Sequence, residues 1–314
     1  MDLQKNFVDS VHLFFKEKGK EWLDSLPELI KYCEEKWSLT VKDPYSLSIN
    51  YVAPALKDDG TEVVVKICIP GEGFLDELEA LRLFKDQGIV SLLDYDKKNG
   101  IFILEKLSPG HTLAELSDQA EACRYAARVM SNLIVPAPQE TRLPTTKGRE
   151  ENLRRTYNQN PNGYGPFSKE TLEKALNVFT YLNQTIEKYW LLHGDFHHYN
   201  ILASGEEKWL AIDPKGLVGE IEYDLIQYML NRLPDEGAYD VTKTRVDVFT
   251  EELNLNKERL ILYGYCHTVL STTWMVDDDG TYEGNFHQVE AIFEKLYEST
   301  FGKSILSGVS KEEL

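Results

Sequence analysis

The 314-residue chain is 42% hydrophobic and 11% aromatic, enough to bury one sizeable core or two modest ones. Its 52 acidic and 34 basic residues leave a net charge of −18, which argues against nucleic acid or an anionic membrane surface as a partner. An acidic surface would suit a cationic substrate, but acidity is so common among soluble proteins that it decides little. The four cysteines (Cys33, Cys68, Cys123, Cys266) are scattered, with no CxxC pair and no metal-ligand spacing. They read as small buried hydrophobes in a reducing compartment. No apolar run reaches the length of a membrane span. The opening Met1-Asp2-Leu3-Gln4-Lys5 begins an amphipathic stretch without the pattern of a secretory signal. A cytoplasmic protein is expected.

In chain order, residues 5–37 carry helical periodicity, with Ser25-Leu26-Pro27 reading as a helix start, where proline loses no needed donor. Leu47 to Leu56 and Glu62 to Ile69 are rich in apolar and β-branched residues. The Lys57-Asp58-Asp59-Gly60 run between them is a hairpin signal. Phe74 to Asp86 sets Phe74, Leu75, Leu78, Leu81 and Phe84 on one helical face, with Gly88 as its stop. Ile89 to Tyr95 and Ile101 to Glu105 form a second hairpin around Asn99-Gly100. A small α+β unit over 1–107 is therefore expected, closed by the break at Ser108-Pro109-Gly110. The remainder, 108–314, is read as a larger, mainly helical unit, with helices over 112–132, 168–190, 223–232, 256–276 and 286–299. Only Ile201-Leu202 and Trp209 to Ile212 look like strands there. Residues 134–166, with five prolines and several asparagines, read as a long loop or insertion.

The chemistry is concentrated in His193-Gly194-Asp195-Phe196-His197-His198-Tyr199-Asn200-Ile201-Leu202. An aspartate, an asparagine five positions later, a short hairpin and then Ile212-Asp213 is the order of catalytic parts in kinases. Phosphoryl transfer needs a hydroxyl oriented, phosphate charge neutralised and metal ions held across the phosphates. Asp195 would accept or orient the proton of the attacking hydroxyl. Asn200 would give an amide oxygen and Asp213 a carboxylate to Mg²⁺, a cation that prefers hard oxygen ligands and few protein groups. The hairpin between Asn200 and Asp213 would return these two ligands to one place. A lone His-Gly-Asp is usually a turn; the ordered set is what carries the reading.

Lys66 ends the apolar strand Val63-Val64-Val65-Lys66, as the phosphate-contacting lysine of kinases ends its own strand. Glu77 and Glu79 are both spaced to partner it. At about 100° per residue Glu77 lies roughly 70° from the centre of the apolar face and Glu79 roughly 130°, which selects Glu77. Gly71-Glu72-Gly73 lacks a third glycine and follows the lysine strand, so it is no phosphate loop, and no Walker A sequence is present. A cover for the phosphates would come from the 51–60 hairpin tip, with Ser48 and Asn50.

Taken together, the sequence resembles the aminoglycoside phosphotransferases, most closely the branch of streptomycin 6-phosphotransferases and hydroxyurea phosphotransferases. The matching segments run along nearly the whole chain. They include Asn50-Tyr51-Val52-Ala53-Pro54, Val65-Lys66, Glu77 to Leu83, and Leu104-Glu105-Lys106-Leu107-Ser108-Pro109-Gly110. The most specific are His193 to Leu202 and Trp209-Leu210-Ala211-Ile212-Asp213-Pro214-Lys215-Gly216. The resemblance implies a bilobal, protein-kinase-like α+β fold with a small antiparallel-sheet N-terminal lobe, a larger helical C-terminal lobe, and nucleotide bound between the lobes. It implies ATP and Mg²⁺ as cofactors, Asp195 as catalytic base, Asn200 and Asp213 as metal ligands, and Lys66 paired with Glu77. The chain around Leu104 to Leu107, with Glu105 and Leu107, would be the hinge offering backbone groups to adenine. Asp224 and His193 would brace the catalytic loop; His197 and Lys215 match the branch without a role that can be derived.

Ser271-Thr272-Thr273-Trp274 followed by Asp277-Asp278-Asp279 resembles a segment of the same branch near the acceptor pocket. Trp274, Asp277 and Asp278 would hold a guanidino or amino sugar by charge and stacking. A solvated acidic turn at a helix end explains the same residues equally well. The expected reaction is phosphorylation of a hydroxyl on a small molecule, most simply a streptomycin-type aminoglycoside. A different metabolite hydroxyl is the alternative. A protein kinase is disfavoured by Asp-Pro-Lys-Gly and by the absence of a Gly-rich loop and an Ala-Pro-Glu motif. A non-catalytic pseudokinase is disfavoured by the intact Lys66, Asp195, Asn200 and Asp213.

Overall fold

The computed structural model describes residues 3–277 and 279–305. In chain order the elements are α1 (Lys5–Trp37), β1 (Leu39–Val41), β2 (Tyr51–Lys57), β3 (Glu62–Ile67), α2 (Glu72–Leu83), β4 (Leu92–Asp96) and β5 (Ile101–Glu105). Then come α3 (Gln119–Asn132), β6 (Val135–Pro136), α4 (Thr146–Gln159), α5 (Lys169–Gln184), β7 (Trp190–Leu192), β8 (Ile201–Ala203), β9 (Trp209–Ala211) and β10 (Leu217–Gly219). The chain continues as α6 (Ile221–Asp224), α7 (Ile226–Leu230), α8 (Ala238–Glu252), α9 (Lys257–Thr273) and α10 (Val289–Phe301).

The chain forms two compact units: residues up to His111 with Leu202–Lys215, and Thr112–Ile201 with Gly216 onward. The division does not fall at a single boundary at 107/108. Instead the 202–215 hairpin belongs with the first unit, because its backbone is bonded there. Gly110 N donates to Ala203 O at 3.0 Å, Ala203 N to His111 O at 2.9 Å, and Val90 N to Ala211 O at 2.9 Å.

In the first unit the strands form an antiparallel sheet in the order β1-β2-β3-β5-β4. Alternation along β3 decides what each face does. Val63, Val65 and Ile67 pack into a core with Phe7, Val11, Trp22 and Leu26 of α1, each large side chain contributing about 1.5–3 kcal/mol by burial. Lys66, one residue out of phase, shares the other face with Phe102, on whose ring Phe74 of α2 stacks at 4.3 Å. Helix α1 runs through Pro27, so the expected start there is not found; the non-helical residue lies at Lys16 (φ 51°). Buried Trp22, Leu23, Leu26 and Cys33 hold both sides of the proline to one core. Strand β1 was not anticipated. The turn at Asn99-Gly100 is required to be glycine: Gly100 has φ 68°, and a Cβ there would lie 2.4 Å from the Cys68 carbonyl oxygen.

In the second unit α9 is the central element, buried along Leu260–Leu270 and again at Thr272 and Thr273. Helices α4, α5, α7, α8 and α10 pack around it. Segment 134–166, expected as a loop, contains α4, and α8 was also missed. The sequence of α4 is almost wholly polar, with only Thr146, Glu150 and Leu153 buried, so no apolar stripe announces it. It is held laterally instead: Thr146 Oγ1 donates to Asn183 Oδ1 at 2.8 Å, and Asn183 Nδ2 to Glu150 Oε2 at 2.9 Å. Strand β7 pairs antiparallel with β10 and β6, which frames the segment that follows it, 193–200. All four cysteines are buried and free. Among the described residues no helix is long and apolar enough to cross a membrane.

Candidate active site

Chemically capable side chains cluster in both units. In the first, β3 delivers Lys66, which is 4% exposed, to the face covered by α2. Of the two candidate glutamates Glu77 is the buried one, and Lys66 Nζ lies 2.5 Å from its Oε1. The same ammonium also bonds Asp213 Oδ1, while Lys215 Nζ meets Asp213 Oδ2 at 2.8 Å. Asp213 follows β9 with φ 60°, a left-handed conformation that aspartate tolerates better than most residues. Burial alone would raise the Asp213 carboxyl, but Lys66 and then Lys215 hold it well below the usual carboxylate range. Burial alone would lower the Lys66 ammonium, and Asp213 with Glu77 holds it above its ordinary value. Glu77 is pushed up by burial in spite of Lys66, so Asp213 is the more firmly ionised of the two carboxylates.

The register of β2 against β3 sets the 57–61 tip, the expected phosphate cover, away from Lys66. Lys66 pairs with Val52, whereas the 57–61 turn joins the ladder at Leu56 and Glu62, the opposite end. At about 3.3 Å per residue that tip stands roughly 13 Å along the strand from Lys66. The β1–β2 connection, residues 42–50, is the loop at Lys66's end. Ser48 lies exposed in it, and Asn50, half-buried, closes it. Glu105 ends β5 with its backbone N–H bonded to Ser91 O at 3.0 Å and its carboxylate to Ser91 Oγ at 2.6 Å. Leu107 is buried.

In the second unit the segment after β7 is fixed by its backbone. Asp224, buried at the end of α6, accepts the amides of His193 and Gly194, each at 2.7 Å. Burial pushes its carboxyl up to about 7 despite these two donors. His193 is fully buried, and its Nδ1 accepts the Asp195 amide at 3.2 Å. Gly194 turns the chain with φ 80°. Asn200 Nδ2 donates to Asp195 O at 3.0 Å and approaches Asp195 Oδ2 at 3.4 Å. His197 Nε2 is 3.6 Å from Asp195 Oδ1. Asp195 is thus a half-buried carboxylate on a backbone held at three consecutive amides.

Beside this loop the same unit has a small recess walled by Gly194, Tyr223, Asp224, Gln227, His267, Arg149 and Trp274. Tyr223 Oη and His267 Nδ1 are 2.8 Å apart, and burial, then Arg149, depresses the His267 ring to about 3. Trp274 is 45% exposed, yet the Arg149 guanidinium already stands over its ring at 5.3 Å. Arg149 was not singled out from the sequence, since it lies in the stretch read as a loop. Asp277 is exposed and not in the wall: its amide bonds Thr281 O at 2.9 Å, and its carbonyl accepts Gly280 N at 2.8 Å. That is an acidic turn after the helix. Asp278 lies outside the described residues.

The sequence profile of the aminoglycoside/hydroxyurea antibiotic resistance kinases matches residues 40–280. The chain belongs to this family. A streptomycin 6-kinase of Streptomyces glaucescens is 30% identical over 276 residues, covering 84% of this chain and 87% of the relative. A hydroxyurea phosphotransferase of Kitasatospora aureofaciens is 28% identical over 282 residues, 83% and 76% of the two chains. Among solved structures, the choline kinase LicA of Streptococcus pneumoniae superposes with a TM-score of 0.60 at 19% identity, over 87% of this chain and 99% of its own. A structure of LicA in complex with AMP gives 0.57 at 15% identity, over 90% and 98% of the two chains. The fold is therefore kinase-like, a small antiparallel sheet plus a helical unit. As a member of this family the chain is a small-molecule phosphotransferase acting on a hydroxyl group.

Proposed function

We propose that the chain transfers the γ-phosphoryl group of ATP to a hydroxyl of a streptomycin-type aminoglycoside, with Mg²⁺. The observation that carries this reading is the pair of 2.7 Å bonds from the His193 and Gly194 amides to Asp224, which hold rigid the backbone bearing Asp195. Asp195 orients the acceptor hydroxyl and takes its proton as the new O–P bond forms and the bond to the ADP oxygen breaks. Lys66, kept in place by Glu77, binds the nucleotide phosphates. Glu105 and Leu107 border adenine, and Ser48 and Asn50, in the 42–50 connection, lie toward the phosphates. Nucleotide binding is supported by the AMP complex of the LicA fold relative.

For Mg²⁺ the donor chemistry fits. Asp213 is an ionised carboxylate, and Asn200 spends its N–H on Asp195 O, which leaves its amide oxygen for a hard cation. Among the described residues no group of three or more His, Cys, Asp or Glu could hold a metal. Mg²⁺ would supply charge neutralisation across the phosphates.

A second reading of the acceptor is favoured by Arg149. A guanidinium in the wall of the recess repels a cationic acceptor group and suits a carbonyl or anionic oxygen. ADP release measured with Mg-ATP across streptomycin, other aminoglycosides and uncharged or anionic hydroxyl compounds separates the two. Turnover with streptomycin supports the first reading, turnover only with the others the second, and none at all with any acceptor speaks against both.

A further inference from the structure

Asp213 and Lys215 are two residues apart in the chain, and their side chains meet at 2.8 Å. The Asp213 carboxylate is consequently held by two ammonium groups, Lys66 on Oδ1 and Lys215 on Oδ2. The two differ in their other partners. Lys66 is 5% exposed at its side chain and keeps Glu77 at 2.5 Å. Lys215 is 39% exposed at its side chain, and among the described residues Asp213 is the carboxylate within ion-pair distance of it. Counting Lys66, Lys215, Glu77 and Asp213, two positive charges balance two negative ones. Any cation that Asp213 accepts upsets that balance on the side of Lys215, because Lys66 still has Glu77. A half-buried ammonium deprived of its carboxylate needs another anion nearby. Its partial exposure and four-carbon stem let it turn to one.

Resting on the phosphotransferase reading above, we propose that Lys215 is a second phosphate-binding lysine. It exchanges Asp213 for the terminal phosphate of the bound nucleoside triphosphate and so distinguishes ATP from ADP. In this division of labour Lys66 holds the phosphates common to both nucleotides, and Lys215 holds the group that is transferred. Its charge is then placed where negative charge leaves in the reaction.

The test is calorimetric titration of the full chain, without acceptor, with Mg-ADP and with the magnesium complex of the non-hydrolysable β,γ-imido analogue of ATP. Wild type, Lys215→Ala and Lys215→Arg are compared. The proposal predicts that Lys215→Ala loses tenfold or more in affinity for the triphosphate analogue and less than twofold for ADP, with Lys215→Arg recovering most of the loss. An equal loss for both nucleotides means that Lys215 only supports Asp213, and overturns the proposal, as does no loss for either. Wild-type protein that binds neither nucleotide overturns the phosphotransferase reading itself, and the proposal with it.

Discussion

Asp224 Oδ1 accepts the amide of Gly194 at 2.7 Å, so a buried carboxylate grips the residue immediately before the candidate catalytic base. Its other oxygen takes the His193 amide at the same distance. The Asp195 carboxylate is therefore positioned from behind, by backbone rather than by side-chain packing, and this arrangement has consequences for stability as well as for turnover.

Asp224 titrates near 7 in the folded chain because burial opposes its charge, against an ordinary value of 3.8. Between these values the unfolded chain has released the proton and the folded chain still binds it, so stability falls as pH rises through this window. Asparagine at 224 does not titrate. Urea midpoints measured from pH 4 to 7 are expected to fall more steeply for wild type than for Asp224→Asn; parallel profiles would contradict the assignment.

Replacing Lys66 by methionine leaves Glu77 and Asp213 without the ammonium they share. Removing one partner of a buried ion pair costs about 3–5 kcal/mol. Equilibrium urea unfolding of Lys66→Met should show a loss of that order, and a change below about 1 kcal/mol would mean that the cluster relaxes freely.

How much of this was legible in the sequence depends on what fixed each feature. The segments 193–202 and 209–216 could be read because phosphoryl transfer restricts both residue type and spacing. Lys66 and Glu77 could be placed because strand and helix periodicities assign a face. Helix α4 escaped because lateral hydrogen bonds to Asn183, rather than an apolar stripe, hold it, and Arg149 escaped with it. Helix α8 buries Thr242, Arg245, Val246 and Phe249, a helical spacing obscured by β-branched residues and a buried arginine. That the 57–61 tip stands at the end of the ladder away from Lys66 could not be read, because strand register, unlike periodicity, is set by pairing with a neighbour.

The β4–β5 turn offers a check on the first unit alone. At Gly100 both the φ of 68° and the 2.4 Å approach to Cys68 O exclude a side chain. Gly100→Ala should lower stability by about 1–3 kcal/mol, read as a fall in thermal midpoint. An unchanged midpoint would show that the turn yields without cost.

Asp213 is expected to carry the metal dependence of nucleotide binding. In Asp213→Ala, titration with ATP should give the same weak affinity with and without Mg²⁺, while wild type binds more tightly with the metal. A metal response that survives in the variant would remove Asp213 from the ligand set.

The most direct test of the central claim follows the γ-phosphate itself. Wild type and Asp195→Ala are each mixed with γ-labelled Mg-ATP and the acceptor panel, and the label is traced to product. The account predicts label on an acceptor hydroxyl with wild type. It predicts a rate lower by about 10²–10⁴-fold in Asp195→Ala, with nucleotide affinity retained. Transfer at an undiminished rate in the variant, or label appearing only as free phosphate with wild type, would contradict it.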